Sequence, residues 1–216
     1  MNEKRKKTIK IIDDFFNKAN EIEEIVKSSE FSWFYVDYTS GMSKYPNSNP
    51  KVSSILKKIK YHNKDLKFYD YLHFSHSIYG FVENEIKTTL NSDDRYLTLI
   101  NDIVSEANIK LDENYTSKNF IRSKINFQTH ANESGYNHIN PPHIDMNLNH
   151  YVMLYYVNES DGDTLFFDDD GKLLKRVAPK KGRLVYFNGA IYHAGSNPIK
   201  YRERIVININ LDYEYG

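Results

Sequence analysis

The spacing of apolar residues changes partway along the chain. Before about residue 118 it is mainly helical. Ile12, Phe15, Phe16, Ala19, Ile22 and Val26 recur at three- and four-residue steps, which predicts an amphipathic helix over residues 8–27. Leu97, Ile100, Ile103, Val104 and Ala107 predict a second over 92–107, with Ser92 as its cap and Asp93 and Asp94 at its positive end. A short helix over 52–59 and strands over 31–38 and 68–79 complete this half, and 41–50 reads as a loop.

After residue 118 short β-prone runs follow one another: 120–129, 151–157, 164–167, 173–177, 183–187 and 204–211. Turn residues separate them, at Ser160-Asp161-Gly162, Asp170-Gly171 and Asn188-Gly189. Such spacing predicts a sandwich or barrel. Helices first and strands afterwards predict an α+β, mainly β, arrangement in one domain over 1–216. Residues 1–117 would form a helical and strand support, and 118–216 the β-core.

The run from Arg204 to Leu211 alternates strictly. Ile205, Ile207, Ile209 and Leu211 share a face that suits packing on helices, while Arg204, Val206, Asn208 and Asn210 share a face that suits a polar cavity. His143 and Asp145 are two residues apart just before a β-prone run, so in extended chain they point to one side. The chain has no cysteine, so a metal here must be held by His, Asp or Glu. His193, beyond the Asn188-Gly189 turn, is placed to supply a third ligand from another strand. Two imidazoles and one carboxylate on one face of an octahedron suit Fe(II) and leave open positions. Arg204 suits a two-pronged contact with a carboxylate. Arg202 shares its parity and is the second choice.

Other features read more plainly. His138 and His150 suit loop or rim positions beside the metal motif. His73 and His76, three apart in a strand, face opposite ways and make a poor second metal site. Asp168-Asp169-Asp170 lacks the spacing of a calcium loop and suits a solvated hairpin turn. Lys+Arg and Asp+Glu both number 29, and the resulting neutrality gives no electrostatic signal for nucleic acid or an anionic membrane. No apolar run is long enough to span a membrane and no signal peptide is evident, so a cytoplasmic location is expected.

From about residue 118 to its end, the chain resembles the prolyl-4-hydroxylase-like branch of the 2-oxoglutarate/Fe(II)-dependent dioxygenases, and among them the small members found in phages and marine microbes. The resemblance is carried by His143-x-Asp145, Tyr155-Tyr156-Val157-Asn158, Asp161-Gly162-Asp163-Thr164-Leu165-Phe166, the run Pro179 to Phe187, His193-Ala194-Gly195 and Arg204. It implies a double-stranded β-helix (jelly-roll, cupin-like) buttressed by the N-terminal helices. It also implies His143, Asp145 and His193 as iron ligands, and Arg204 as partner of the far carboxylate of 2-oxoglutarate. Tyr156 and Thr164 match residues that bind that same carboxylate, and Asn126 lies on a strand that bears cosubstrate contacts. Tyr156 equally suits a core tyrosine, Thr164 any strand, and Asn126 the pairing of backbone groups. Two departures stand out. Asp161-Gly162 replaces a pair of glycines, and Arg204 replaces the lysine of true prolyl 4-hydroxylases.

The activity so implied is hydroxylation coupled to conversion of 2-oxoglutarate and O2 to succinate and CO2, with ascorbate as reductant. A protein or peptide side chain is the first-choice substrate, and a small molecule the second. The alternatives are a nucleic-acid demethylating dioxygenase and a non-catalytic β-barrel that binds a metal or ligand. The demethylating branch usually has a second arginine six residues after the first, where this chain has Asn210. The oligomeric state is not readable.

Overall fold

The computed structural model describes residues 8–37, 50–69, 71–82, 86–89, 94–131 and 139–212. The expected loop at 41–50, the Ser92 cap and His138 lie outside these residues, save Pro50, which opens a helix.

Three helices accompany eleven strands among the described residues: β1 Ile9–Ile12, α1 Ala19–Lys27, β2 Phe34–Val36, α2 Pro50–His62, β3 His73–Val82, β4 Ile86–Thr89, α3 Asp94–Leu111, β5 Phe120–Thr129, β6 Tyr151–Tyr156, β7 Thr164–Phe167, β8 Leu173–Val177, β9 Leu184–Asn188, β10 Tyr192–Gly195 and β11 Glu203–Leu211. The major sheet runs β1-β9-β6-β11-β5-β3-β2, with β4 added on β3, and the minor sheet runs β10-β7-β8. This is the mainly β, antiparallel architecture of a double-stranded β-helix.

Alternation along the central strands sorts the side chains into two cores. Met153, Tyr155, Leu184, Tyr186, Ile205, Ile207, Ile209 and Leu211 face α1 and α3, where they meet Ile22, Val26, Ile100, Ile103 and Val104. Val152, Leu154, Tyr156, Val185, Phe187 and Val206 face inward, against Phe166 and Val177 of the minor sheet. A third cluster seats Ile59 of α2 on Leu165, Phe167 and Ala194, behind the minor sheet. Each isoleucine buried in β11 stabilises by about 1.5–3 kcal/mol. A one-residue slip would turn Ile205, Ile207 and Ile209 into the cavity, so the register is strongly set.

The expected helix over 8–27 is corrected. Ile9–Ile12 form an edge strand, paired Ile9↔Phe187 through Ile12↔Leu184, and only Ala19–Lys27 is helical. A turn separates them, with Asp14 at a positive φ of 47°. The helical period ran through it because Ile12, Phe15, Phe16, Ile22 and Val26 all reach one core from different elements. Sequence periodicity sees the shared core, and here it did not see the turn.

Candidate active site

The inward faces of β5 and β11, with the minor sheet opposite, enclose a cavity. It is lined by His73, Lys124, Asn126, Gln128, His143, Asp145, Leu154, Thr164, His193, Gly195, Arg204, Val206 and Asn208, and holds about 520 Å³ of empty space counted out to its open mouth.

At one end stand His143, Asp145 and His193. Their ligand atoms all lie within 4.8 Å of one another. His143 and His193 exchange backbone hydrogen bonds of 2.9 and 3.0 Å, which fixes the two imidazoles side by side. Each ring has Nδ1 at 3.1 Å from a backbone carbonyl, of Pro141 for His143 and of Ile191 for His193. Protonated Nδ1 donates to that carbonyl, which leaves Nε2 as the bare nitrogen. Both Nε2 atoms lie 4.0 Å from the Asp145 carboxylate. Burial pushes His143 down to about 4, with His193 adding to the effect and Asp145 opposing it. Burial lowers His193 as well. Both rings are therefore neutral near pH 7, as metal ligation requires.

Burial opposes the charge of Asp145. Arg122, with the two imidazoles and Lys124, nevertheless holds its carboxyl well below the usual range. The Arg122 Nη2 donates to Oδ1 at 2.8 Å, while Asn208 and Asn210 donate to Oδ2 at 3.1 and 2.9 Å. Arg122 also reaches Asn210 Oδ1 from Nε at 3.0 Å.

At the other end lies Arg204, 4% exposed. Its Nε donates to the Gly162 carbonyl at 2.6 Å, its Nη2 to Thr164 Oγ1 at 2.8 Å, and its Nη1 to Gln128 Oε1. The guanidinium also lies over the Tyr156 ring. All three acceptors are neutral, and two of the five N–H donors remain. Gly162 makes this approach possible: a Cβ there would lie 2.4 Å from the Ser196 carbonyl and 2.8 Å from Arg204 Cδ. Asp161, standing where a glycine is usual, accepts the backbone N–H groups of Ile199, Lys200 and Tyr201 at 3.0, 2.9 and 3.4 Å. That carboxylate organises the turn leading into β11.

Of the residues proposed from sequence, His143, Asp145, His193, Arg204, Thr164 and Asn126 line this one cavity. Asn126 accepts from Ser75 Oγ at 3.2 Å. Tyr156 is fully buried beneath the lining and donates from Oη to Thr164 Oγ1 at 2.7 Å. Arg202 is exposed and borders a separate surface hollow. His150 lies in the loop before β6, as expected, but is 1% exposed rather than on the rim, and it packs over Gly189. His76 packs on Phe31 and Tyr96, opposite His73. Asp168 Oδ1 accepts the Asp170 and Lys172 N–H groups at 3.0 and 2.8 Å, closing the β7–β8 hairpin.

Arg122 and Lys124 near the metal end, Gln128 at the arginine end and His73 in the lining went unassigned to the site in the sequence, while Asn208 was placed on the cavity face. Three of them were within reach. Arg122, Lys124 and Gln128 share the parity of Asn126 along β5, so the alternation applied to 204–211 selects them equally well. Lys124 is buried enough to bring its ammonium down to about 8, with Arg122 adding to the drop and Asp145 opposing it.

Residues 127–212 match the family model described as the 2OG-Fe(II) oxygenase superfamily. No curated protein matches the sequence. Among solved structures, the chain is similar to a 2OG-Fe(II) oxygenase family oxidoreductase from Burkholderia pseudomallei, with TM-score 0.51, 10% identity, and 89% and 90% of the two chains covered. It is similar to the non-heme alpha ketoglutarate dependent epimerase SnoN from nogalamycin biosynthesis, with TM-score 0.54, 8% identity, and 96% and 78% covered. A viral collagen prolyl hydroxylase from Paramecium Bursaria Chlorella virus-1, solved with 2OG, gives TM-score 0.49 at 13% identity, with 96% and 97% covered. At these identities the likeness to the first two speaks for the fold alone.

The superfamily implies Fe(II) and 2-oxoglutarate, and the residues present fit both. Two bare Nε2 atoms and one carboxylate form the donor set for Fe(II). A buried guanidinium whose hydrogen-bond acceptors are neutral fits the far carboxylate of the keto acid. No helix among the described residues is long and apolar enough to cross a membrane.

Proposed function

We propose that this oxidoreductase is a 2-oxoglutarate- and Fe(II)-dependent hydroxylase acting on a protein or peptide side chain. One observation carries the reading: two imidazoles and a carboxylate from separate segments converge in a cavity whose far end is a buried arginine. His143, Asp145 and His193 would hold the metal. Arg204 would pair with the distal carboxylate of the cosubstrate, with the Thr164 hydroxyl beside it. Bound together, Fe(II), 2-oxoglutarate and O2 supply the oxidising chemistry, in which the keto acid leaves as succinate and CO2 and one oxygen atom goes to a substrate C–H bond. The chain's own task is to fix ligand geometry and exclude water. Asp145 is held ionised and oriented by three donors, and the two histidines are kept neutral by burial. Leu154 and Val206 provide the dry wall between the two ends.

The test is succinate formation from 2-oxoglutarate with Fe(II) and ascorbate. His143→Ala and Asp145→Ala are expected to bring it to background. Turnover unchanged in either variant would end the reading.

A further inference from the structure

Lys124 has no part in the mechanism above. It lies on β5, in register with Asn208 of β11 on one side and Ser77 of β3 on the other. Its side chain lines the cavity at the metal end, and its ammonium takes no hydrogen bond or ion pair with a described residue. The nearby carboxylate is already engaged: Asp145 accepts from Arg122, Asn208 and Asn210.

The charge count sharpens this. Arg122, Lys124 and Arg204 stand around the cavity against Asp145, the single carboxylate in its lining. Divalent iron and doubly charged 2-oxoglutarate cancel each other, so two positive charges are left over. Arg122 is held by Asp145 and Asn210, and Arg204 by its three acceptors, which leaves Lys124. A half-buried ammonium with no counter-ion bonded to it is costly unless an anion joins it.

A second, independent group points into the same place. The bond from Asn208 Nδ2 to Asp145 fixes which way the amide faces, and its Oδ1 is left buried with no partner. A buried acceptor of this kind calls for an N–H or O–H donor.

We infer that the metal end takes a substrate unit with a carboxylate seated on Lys124 and an N–H or O–H donor seated on Asn208 Oδ1. An α-amino or α-hydroxy acid, free or at a peptide C-terminus, has that pair of groups. The inference rests on the hydroxylase reading, though not on its choice of a protein side chain, and gives the substrate a carboxylate.

The experiment uses the full chain loaded with Mn(II) and 2-oxoglutarate, which binds without turnover. Binding of 2-oxoglutarate is measured first, and its absence in the wild-type protein would count against the hydroxylase reading itself. Free amino acids, N-acetyl amino acids and the amides of both are then added, and Mn(II)-induced broadening of their proton NMR lines is recorded. The expected result is broadening of acids over their amides. Lys124→Met, which keeps an apolar stem of similar length, should weaken acid binding about tenfold or more while 2-oxoglutarate affinity stays within about twofold. Lys124→Arg should restore it. Free against N-acetyl acids separates a free substrate from a peptide terminus. Three outcomes would overturn the inference: no acid distinguished from its amide, acid binding unchanged in Lys124→Met, or loss of 2-oxoglutarate in that variant, which would assign the ammonium to the cosubstrate.

Discussion

The two ends of the cavity bury opposite charges in the same unfinished way. At one end Arg204 is a cation surrounded by neutral acceptors: the Gly162 carbonyl, Gln128 and Thr164. At the other, Asp145 is an anion surrounded by donors, with two bare imidazole nitrogens 4.0 Å away. Hydrogen bonds reduce the cost of burying each charge, yet each end keeps capacity in reserve. Arg204 keeps two N–H groups, which suit an anion. Asp145 and its histidines keep lone pairs, which suit a cation. On the proposed function the ends serve separate partners, metal at one and dicarboxylate at the other, and should fail separately.

The largest effect is expected at the metal end. Asp145→Ala removes a ligand and strands Arg122, whose side chain is 24% exposed. Breaking a buried pair of this kind costs about 3–5 kcal/mol, with the lower end apt here because Arg122 keeps some water. Mn(II) binding should be lost in calorimetry, and the urea midpoint of the metal-free protein should fall. A variant that bound Mn(II) as the wild type does would break the comparison at its root.

Arg204→Met tests the other end and should be the next largest. Truncating one partner of a buried charged contact costs about 2–5 kcal/mol, or roughly 30-fold or more in affinity. Affinity for 2-oxoglutarate should fall by that factor, while Mn(II) affinity stays within about twofold of wild type. Equal loss of both would mean that the ends are one coupled unit.

The same contrast explains what the sequence disclosed. In β11 four apolar residues alternate with Arg204, Val206, Asn208 and Asn210, and every position obeys its face. The period is two, a one-residue slip is costly, and the pattern is legible. The metal motif was legible for a similar reason, since His143 and Asp145 are near in sequence. The cradle around Asp145 was not. Arg122 sits 23 residues from Asp145, and Asn210 sits 65, so the contact exists only through the pairing of β5 with β11. At the N-terminus the failure ran the other way. Ile9 and Ile11 pack against the inner cluster while Ile12 packs against the outer one, so a strand edge imitated a helical stripe.

The smallest effect distinguishes residues that touch the cosubstrate from those that support them. Thr164 Oγ1 accepts from Arg204 at 2.8 Å and from Tyr156 at 2.7 Å. Both lone pairs are then used, so the hydroxyl proton is the group left to face the cavity. Tyr156, buried behind it, fixes that orientation without reaching the lining. Thr164→Val keeps the shape, removes the donor and leaves the Tyr156 hydroxyl without its acceptor. It should weaken 2-oxoglutarate binding by about tenfold or less, the scale of one hydrogen bond. Thr164→Ser should stay near wild type. Tyr156→Phe should cost only about two- to threefold, because it frees a lone pair on Thr164 and removes no donor to the ligand. A Tyr156→Phe loss as large as that of Thr164→Val would instead put the tyrosine hydroxyl on the carboxylate itself, and the arginine end would then have a donor set one member larger.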